Sequence, residues 1–265
     1  MMIVVKPKAA VRSAVAAVAA VAAIAAFGVL VLSAPAALAQ DGVARYATLI
    51  GVPLAVGAPN GVGFVSLSGT TRRNPGSSDL DGSAALGFGL GSAETGVGVQ
   101  LSAHITSLTD AFGDSGYLAV KLSRRLDGGA VPTYVGVTID HLARWGDATL
   151  ADAGVAVALT SFASLTAANG QSYPLILSFG VGNKLRQIQT EPGIFAGLGV
   201  GLTPSLGASI ALYGDEVELG AAWRPPGSRN FAVAAALSDA FDQHDHRRVT
   251  VSVSYAIPQL FGASR

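Results

Sequence analysis

Residues 84–105 read Ala84-Ala85-Leu86-Gly87-Phe88-Gly89-Leu90-Gly91-Ser92-Ala93-Glu94-Thr95-Gly96-Val97-Gly98-Val99-Gln100-Leu101-Ser102-Ala103-His104-Ile105. Before the turn at Ser92-Ala93-Glu94-Thr95, Ala84, Leu86, Phe88 and Leu90 alternate with Ala85, Gly87, Gly89 and Gly91. After it, Val97, Val99, Leu101, Ala103 and Ile105 alternate with Gly98, Gln100, Ser102 and His104. A period of two sends the two sets to opposite faces of a strand, so the stretch encodes two amphipathic strands joined by a tight turn. One face is large and apolar; the other is very small or polar.

The same alternation recurs to the C-terminus. About twelve strand candidates follow, an even number, as single-chain bacterial barrels have. They lie near 64–71, 84–91, 96–106, 117–125, 133–142, 154–163, 173–182, 194–202, 205–213, 216–224, 230–238 and 248–257. In a soluble barrel the apolar set turns inward and the other set, facing water, is rich in Lys, Glu, Asp and Arg. Here the second set is Gly197, Gly199 and Gly201, then Ala232, Ala234 and Ala236, then Thr250, Ser252 and Ser254. Small side chains suit a crowded lumen, whereas Val249, Val251, Val253 and Tyr255 suit hydrocarbon. The expected fold is all-β, a single antiparallel up-and-down transmembrane β-barrel. Its connections tend to alternate between longer polar loops (71–82, 107–116, 143–153, 183–193, 239–247) and shorter turns (92–95, 127–129, 203–204, 225–228), with 214–215 and 164–172 departing from the trend.

Lys6, Lys8 and Arg12 precede an Ala/Val/Leu-rich run over 13–32, and Ala37-Leu38-Ala39 supplies a small-x-small cleavage site before Gln40. This is the pattern of a secretory signal peptide over 1–39. The expected organisation is then a lead-in over 40–60, a barrel over 61–258 and a tail over 259–265. The lead-in holds Pro53 and Pro59 and reads either as a periplasmic arm or as a plug-like segment. Beyond the leader no apolar run reaches the ~18 residues of a transmembrane helix. Charged residues are 13% of the chain, against about 25% in soluble domains. The 17 basic and 17 acidic side chains balance without blocks of one sign, which leaves no electrostatic footprint for a nucleic-acid partner. Cysteine is absent, so no disulfide framework exists. The expected location is the outer membrane of a Gram-negative bacterium, with outer-membrane lipid and the outer-membrane assembly machinery as partners.

Several stretches resemble an uncharacterised family of Gram-negative envelope β-barrel proteins. They are Asp81-Gly82-Ser83-Ala84-Ala85-Leu86-Gly87-Phe88-Gly89-Leu90-Gly91, Phe112-Gly113-Asp114-Ser115-Gly116 with Lys121-Leu122-Ser123-Arg124-Arg125-Leu126, Trp145-Gly146-Asp147 and Val181-Gly182-Asn183. The resemblance covers most of the chain after the leader and implies fold and location, with no activity attached.

Ionisable and polar residues in phase with the small-residue face are the candidate functional set. Lys121 and Arg125 share phase with Ala119 and Ser123, Asp140 with Gly136 and Thr138, Glu216, Glu218 and Arg224 with Gly220 and Ala222, and Gln100 and His104 with Ser102. Facing lipid, a buried charge costs on the order of 2–4 kcal/mol near the midplane, so the lumen is the expected place for these residues. There they either line a narrow polar passage or neutralise one another in a closed one. His244-Asp245-His246 with Asp239 and Asp242 has ligand types that suit a metal, but its spacing matches no defined pattern. Ser102 and His104 share a strand face, yet no Gly-x-Ser-x-Gly elbow accompanies them, and Gly197-Leu198-Gly199-Val200-Gly201 continues a strand without opening a helix. No catalytic, metal or cofactor site is therefore expected. The function read from the sequence is a narrow porin-like channel or envelope transport component of unspecified substrate. A non-conducting structural barrel is the alternative, and an outer-membrane hydrolase is a more distant one.

Overall fold

The computed structural model describes residues 45–71, 80–106, 108, 112–186 and 189–261. The expected leader at 1–39 and residues 72–79 lie outside that range.

Twelve strands form one closed antiparallel barrel. They are β1 (Gly63–Thr71), β2 (Leu80–Gly91), β3 (Gly98–Ile105), β4 (Gly116–Leu126), β5 (Thr133–Trp145), β6 (Gly154–Thr166), β7 (Ser172–Arg186), β8 (Glu191–Gly201), β9 (Leu206–Tyr213), β10 (Glu216–Trp223), β11 (Phe231–Ser238) and β12 (Arg248–Ile257). Each strand pairs with its chain neighbour, and β12 closes on β1 from Gly63↔Ile257 to Thr70↔Thr250. Closure leaves no unpaired edge, which lets a chain without cysteine, and with no helical layer among the described residues, hold its shape. The up-and-down path and the expected twelve strands are both present.

Register keeps like with like. Val65 stands opposite Leu86 and Tyr255, while Ser66 stands opposite Ala85 and Ser254. Large apolar side chains consequently cover the outside: mid-strand Leu67, Phe179 and Ile194 are 58%, 57% and 60% exposed. Val155, Val157, Leu219, Val251 and Val253 continue this belt around the wall. Trp223, Phe231 and Tyr255 sit near one rim, and Phe261 just past β12 meets Phe88 edge to face at 5.3 Å.

Strand ends depart from the expected limits where side chains substitute for the ladder. β7 continues past 182 because Asn183 Oδ1 accepts from Val155 N (2.7 Å) and Arg186 pairs with Glu191 across the tip (2.9 Å). β2 begins at Leu80, four residues before the expected start, since Asp81 and Gly82 pair with Thr70 and Gly69 rather than turning. β5 runs to Trp145 through an irregular patch at which His141 and Ala143 take positive φ (54° and 41°). A short 3-10 turn, Gly146–Leu150, follows it.

The strands define two rims. The rim with 92–97, 127–132, 167–171, 202–205 and 224–230 is here the turn rim; the opposite one, with 146–153, 214–215 and 239–247, is the loop rim. Of the two arrangements the sequence leaves open for the lead-in, arm or plug, its described part runs inside the barrel. It enters at the turn rim beside β8 and β9, crosses the lumen and returns to the same rim beside β2 before β1 begins.

Candidate functional site

The lumen is built from a wall of small side chains and the chain segment 45–60. Tyr46 N donates to Thr203 O (2.8 Å), Ile50 N to Ser209 Oγ (3.2 Å) and Ala58 N to Gln100 Oε1 (2.9 Å). At the crossing, Ala55 N donates to Thr160 Oγ1 (2.8 Å), the Thr160 and Ser178 hydroxyls bond each other (2.9 Å), and Ser178 Oγ donates to Pro53 O (2.8 Å). These bonds form one directed chain that clips residues 53 and 55 to β6 and β7. Thr160 and Ala55 are fully buried.

Inward glycines bring the segment this close. A Cβ at Gly199 would collide with the Thr48 carbonyl, at Gly136 with the Ala55 backbone, and at Gly89 with the Ala58 and Pro59 carbonyls. Gly197, Gly207 and Gly220 meet Val52, Tyr46 and Ile50 in the same way. Sequence periodicity placed these glycines inward; their role as a seat for backbone was not legible, because the segment they hold is remote in sequence.

The segment divides the lumen into two unlike halves. Toward β5–β9 it completes an apolar core in which Ala55, Tyr134, Ala158, Leu185 and Phe195 are buried, with Val52, Val56, Phe162 and Tyr213 packed against them. Toward β10–β3 the wall is hydroxylated: Ser68 and Ser83 bond at 2.7 Å and Thr250 donates to Thr70 at 2.9 Å. Cavities of about 290 Å³ (beside Ser66, Ser83 and His104) and 270 Å³ (beside Glu218, Ser238 and Ser252) lie along this half. Each shares wall residues with a vestibule of about 600 Å³ that opens at the loop rim.

The eight residues singled out from the sequence occupy different settings. Gln100 holds the segment, as above. Arg125 pairs with Glu94 at the turn rim (2.8 Å), and the Tyr134 hydroxyl also donates to Glu94. These two bonds, Tyr134 first and Arg125 second, hold the Glu94 carboxyl below its ordinary range. Asp140 binds His141 Nδ1 (2.6 Å) and accepts from Gly154 N (3.1 Å). Glu216 receives a two-pronged contact from Arg248 (2.8 and 3.2 Å). Glu218 Oε2 accepts from Ser238 Oγ (2.7 Å). Arg224 lies past β10 with its guanidinium 3.9 Å from the Tyr46 ring centre. Lys121, beside Gly57 and Gln100, has no ion-pair or hydrogen-bond partner among the described residues. His104 bonds Ser102 (3.1 Å) and stacks on Tyr117, which stacks on His141.

The His244-Asp245-His246 loop is organised by a carboxylate. Asp239 is fully buried and accepts from Gln243 N, His244 N and His246 N at 2.7, 3.1 and 3.2 Å. The imidazoles turn apart: His244 lies 3.5 Å from Asp215, whereas His246 Nδ1 accepts from the Arg248 guanidinium (3.3 Å) beside Glu216 (4.0 Å). Among the described residues no three metal-ligating side chains converge.

Comparison with solved structures finds an outer membrane channel from Pseudomonas putida F1, aligned over 78% of this chain and 100% of its own at 11% identity with a TM-score of 0.41. The outer membrane protein Omp33 from Acinetobacter baumannii aligns over 76% and 100% at 12% identity, also with a TM-score of 0.41. No family model and no curated protein matches the chain.

Two outcomes follow from this geometry. Thr160→Val leaves the buried Ala55 N–H without an acceptor and should cost about 1–3 kcal/mol. Ser178→Ala acts on the same hydroxyl chain, so the double variant should lose less than the two single losses added, read by denaturant unfolding in lipid vesicles. Full additivity would show that the hydroxyls act separately. Burial raises the Asp239 carboxyl, but the three backbone donors outweigh it and leave it below its ordinary 3.8. A depressed folded value gives stability that is present above the unfolded value and lost as pH falls through the folded one. The amide resonances of Gln243, His244 and His246 should therefore titrate together with a midpoint below 3.8. A midpoint above that value would refute the assignment.

Proposed function

We propose that this chain is a barrel of the Gram-negative outer membrane that passes small polar solutes or ions through a narrow, hydroxyl-lined passage along the β10–β3 side of its lumen. The observation that carries the reading is the run of adjoining cavities next to the Ser and Thr side chains of β1, β2 and β12, one of which the crossing segment lines at Ile50. The apolar belt of the exterior supports the membrane setting, since water would have to solvate that belt and lipid does not. The leader pattern supports export with cleavage near Ala39 and Gln40. In the usual topology of bacterial barrels the turn rim faces the periplasm and the loop rim the outside.

Among the candidate lumen charges, Glu216 and Arg125 are matched by ion pairs and Glu218 by the Ser238 hydroxyl, whereas Lys121 has neither kind of partner among the described residues. Lys121 is thus assigned to ion preference. The apolar core that fills the β5–β9 half favours the second reading, a closed structural barrel.

Planar-bilayer recording of the purified full chain separates them. A channel should conduct in small unitary steps, Ser68→Trp should lower the conductance by about half or more by filling the slot, and Lys121→Gln should shift the reversal potential toward cations more than Arg125→Gln does. Silence at every voltage would leave the structural reading. The membrane setting has its own test. Leu67→Arg should destabilise the protein in bilayers by on the order of 2–4 kcal/mol, a loss that the same substitution on a water-facing wall would not produce.

A further inference from the structure

The barrel does not need the segment that crosses it. All twelve strands pair around the full circle, and between Tyr46 and Asn60 the segment adds no rung to that ladder among the described residues. It is held instead through the side chains of Ser209, Thr160, Ser178 and Gln100. Withdrawing it would break no strand-to-strand bond. Its two ends also differ. The far end is fixed: Asn60 bridges Gly89, Gly91 N donates to Asn60 Oδ1 (3.0 Å), and β1 follows. Between them lies a tight turn in which Val62 N donates to Pro59 O (3.0 Å) and Gly61 takes φ 73°, a conformation that glycine adopts at little cost.

The near end is held at the turn rim by side chains within reach of water. Arg45 donates to Gln171 Oε1 (3.2 Å) and to Leu202 O, and its guanidinium lies 4.4 Å from the Tyr173 ring centre. Arg224 covers Tyr46 from the other side. Exposed contacts of this kind are individually weak and exchange with water readily.

We propose that residues 45–60 are a releasable plug, hinged at Pro59–Val62 and latched at the turn rim by Arg45, Tyr46 and Arg224. When the latch opens, the segment leaves toward the turn rim and the half-filled lumen becomes an open one. The inward glycines that seat the segment then line the widened bore, with Gln100 and Lys121 freed on its wall. The proposal rests on the channel reading, and its test is arranged so that the two can fail separately.

The chain has no native cysteine, so single reporters are clean. In the full chain reconstituted in vesicles, Ala55→Cys is buried while the plug is seated and reacts with a maleimide only when it leaves. Combining that reporter with Arg45→Ala and Arg224→Ala should raise the labelling rate about tenfold, the signature of a local opening made easier. Val56→Cys serves as a second reporter if Ala55→Cys does not fold. Separately, the pair Tyr46→Cys and Thr203→Cys joins residues already bonded through their backbones. Its oxidised form should lose the highest conductance level and regain it on reduction. Equal labelling rates with and without the latch side chains, or a conducting protein whose conductance is the same in the oxidised and reduced pair, would overturn the plug. Faster labelling of a protein that never conducts would uphold plug release and discard the channel reading.

Discussion

The contact on which the rest of this structure depends is backbone against backbone: the chain at 48–58 lies on the inner wall with no side chain between them at Gly89, Gly136 and Gly199. Eight-stranded barrels have interiors that their own side chains fill. Twelve strands enclose more, and a wall of Gly, Ala and Ser fills still less of it. The space left over accommodates a second pass of chain on one side and cavities on the other. Barrel size, small inward residues and an internal segment therefore belong together; enlarging the inward residues would expel the segment, and losing the segment would leave the apolar cluster around Phe195 without Val52, Ala55 and Val56.

Charge placement follows from the same division. Ions are costly to desolvate, so they gather where partners or water are near. Glu94 with Arg125 sits at the turn rim, while Glu216 with Arg248 and Asp140 with His141 lie toward the loop rim. Between the rims the polar half relies mainly on hydroxyls, which satisfy one another in pairs such as Ser68 with Ser83 and Thr70 with Thr250, or satisfy the carboxylate of Glu218, as Ser238 does. A wall of this kind is polar without being strongly charged, in keeping with the low charge content of the chain.

The fold was legible in the sequence because period-two alternation reports one property of each residue, the face on which it stands. That property was sufficient for the twelve strands and for the in-phase placement of Glu216 with Glu218. It was insufficient where a side chain takes over a backbone role, as Asn183 does in prolonging β7, or where an apparent turn such as Asp81-Gly82 is pulled into the ladder by its partner strand. Ion pairs were illegible for a related reason: Glu94 and Arg125 are brought together by the inward tuck of the β2–β3 turn, in which Arg125 N donates to Ala93 O (2.7 Å), and alternation carries no record of that tuck. Whether the lead-in lay inside or outside was undecided because the bonds that hold it in the lumen are to residues remote in sequence.

Alternation treats the inward face as one environment, and this barrel has two. The composition of that face nevertheless separates them. Along β8 the inward positions Gly193, Gly197, Gly199 and Gly201 meet backbone or neighbouring side chains at distances that a Cβ could not share. Along β12 and β1 the inward positions Thr250, Ser252, Ser66 and Ser68 border cavities. Glycine is an unfavourable strand residue, since it loses entropy and packs nothing. A run of inward glycines therefore signals that something other than a side chain occupies the space above them. A hydroxyl costs little in a strand and asks for a polar neighbour, so a run of inward Ser and Thr signals space left for water or solute. Read this way, the change from glycine on β8 to hydroxyls on β12 and β1 already marks, in the sequence, which side of the lumen is filled and which is open.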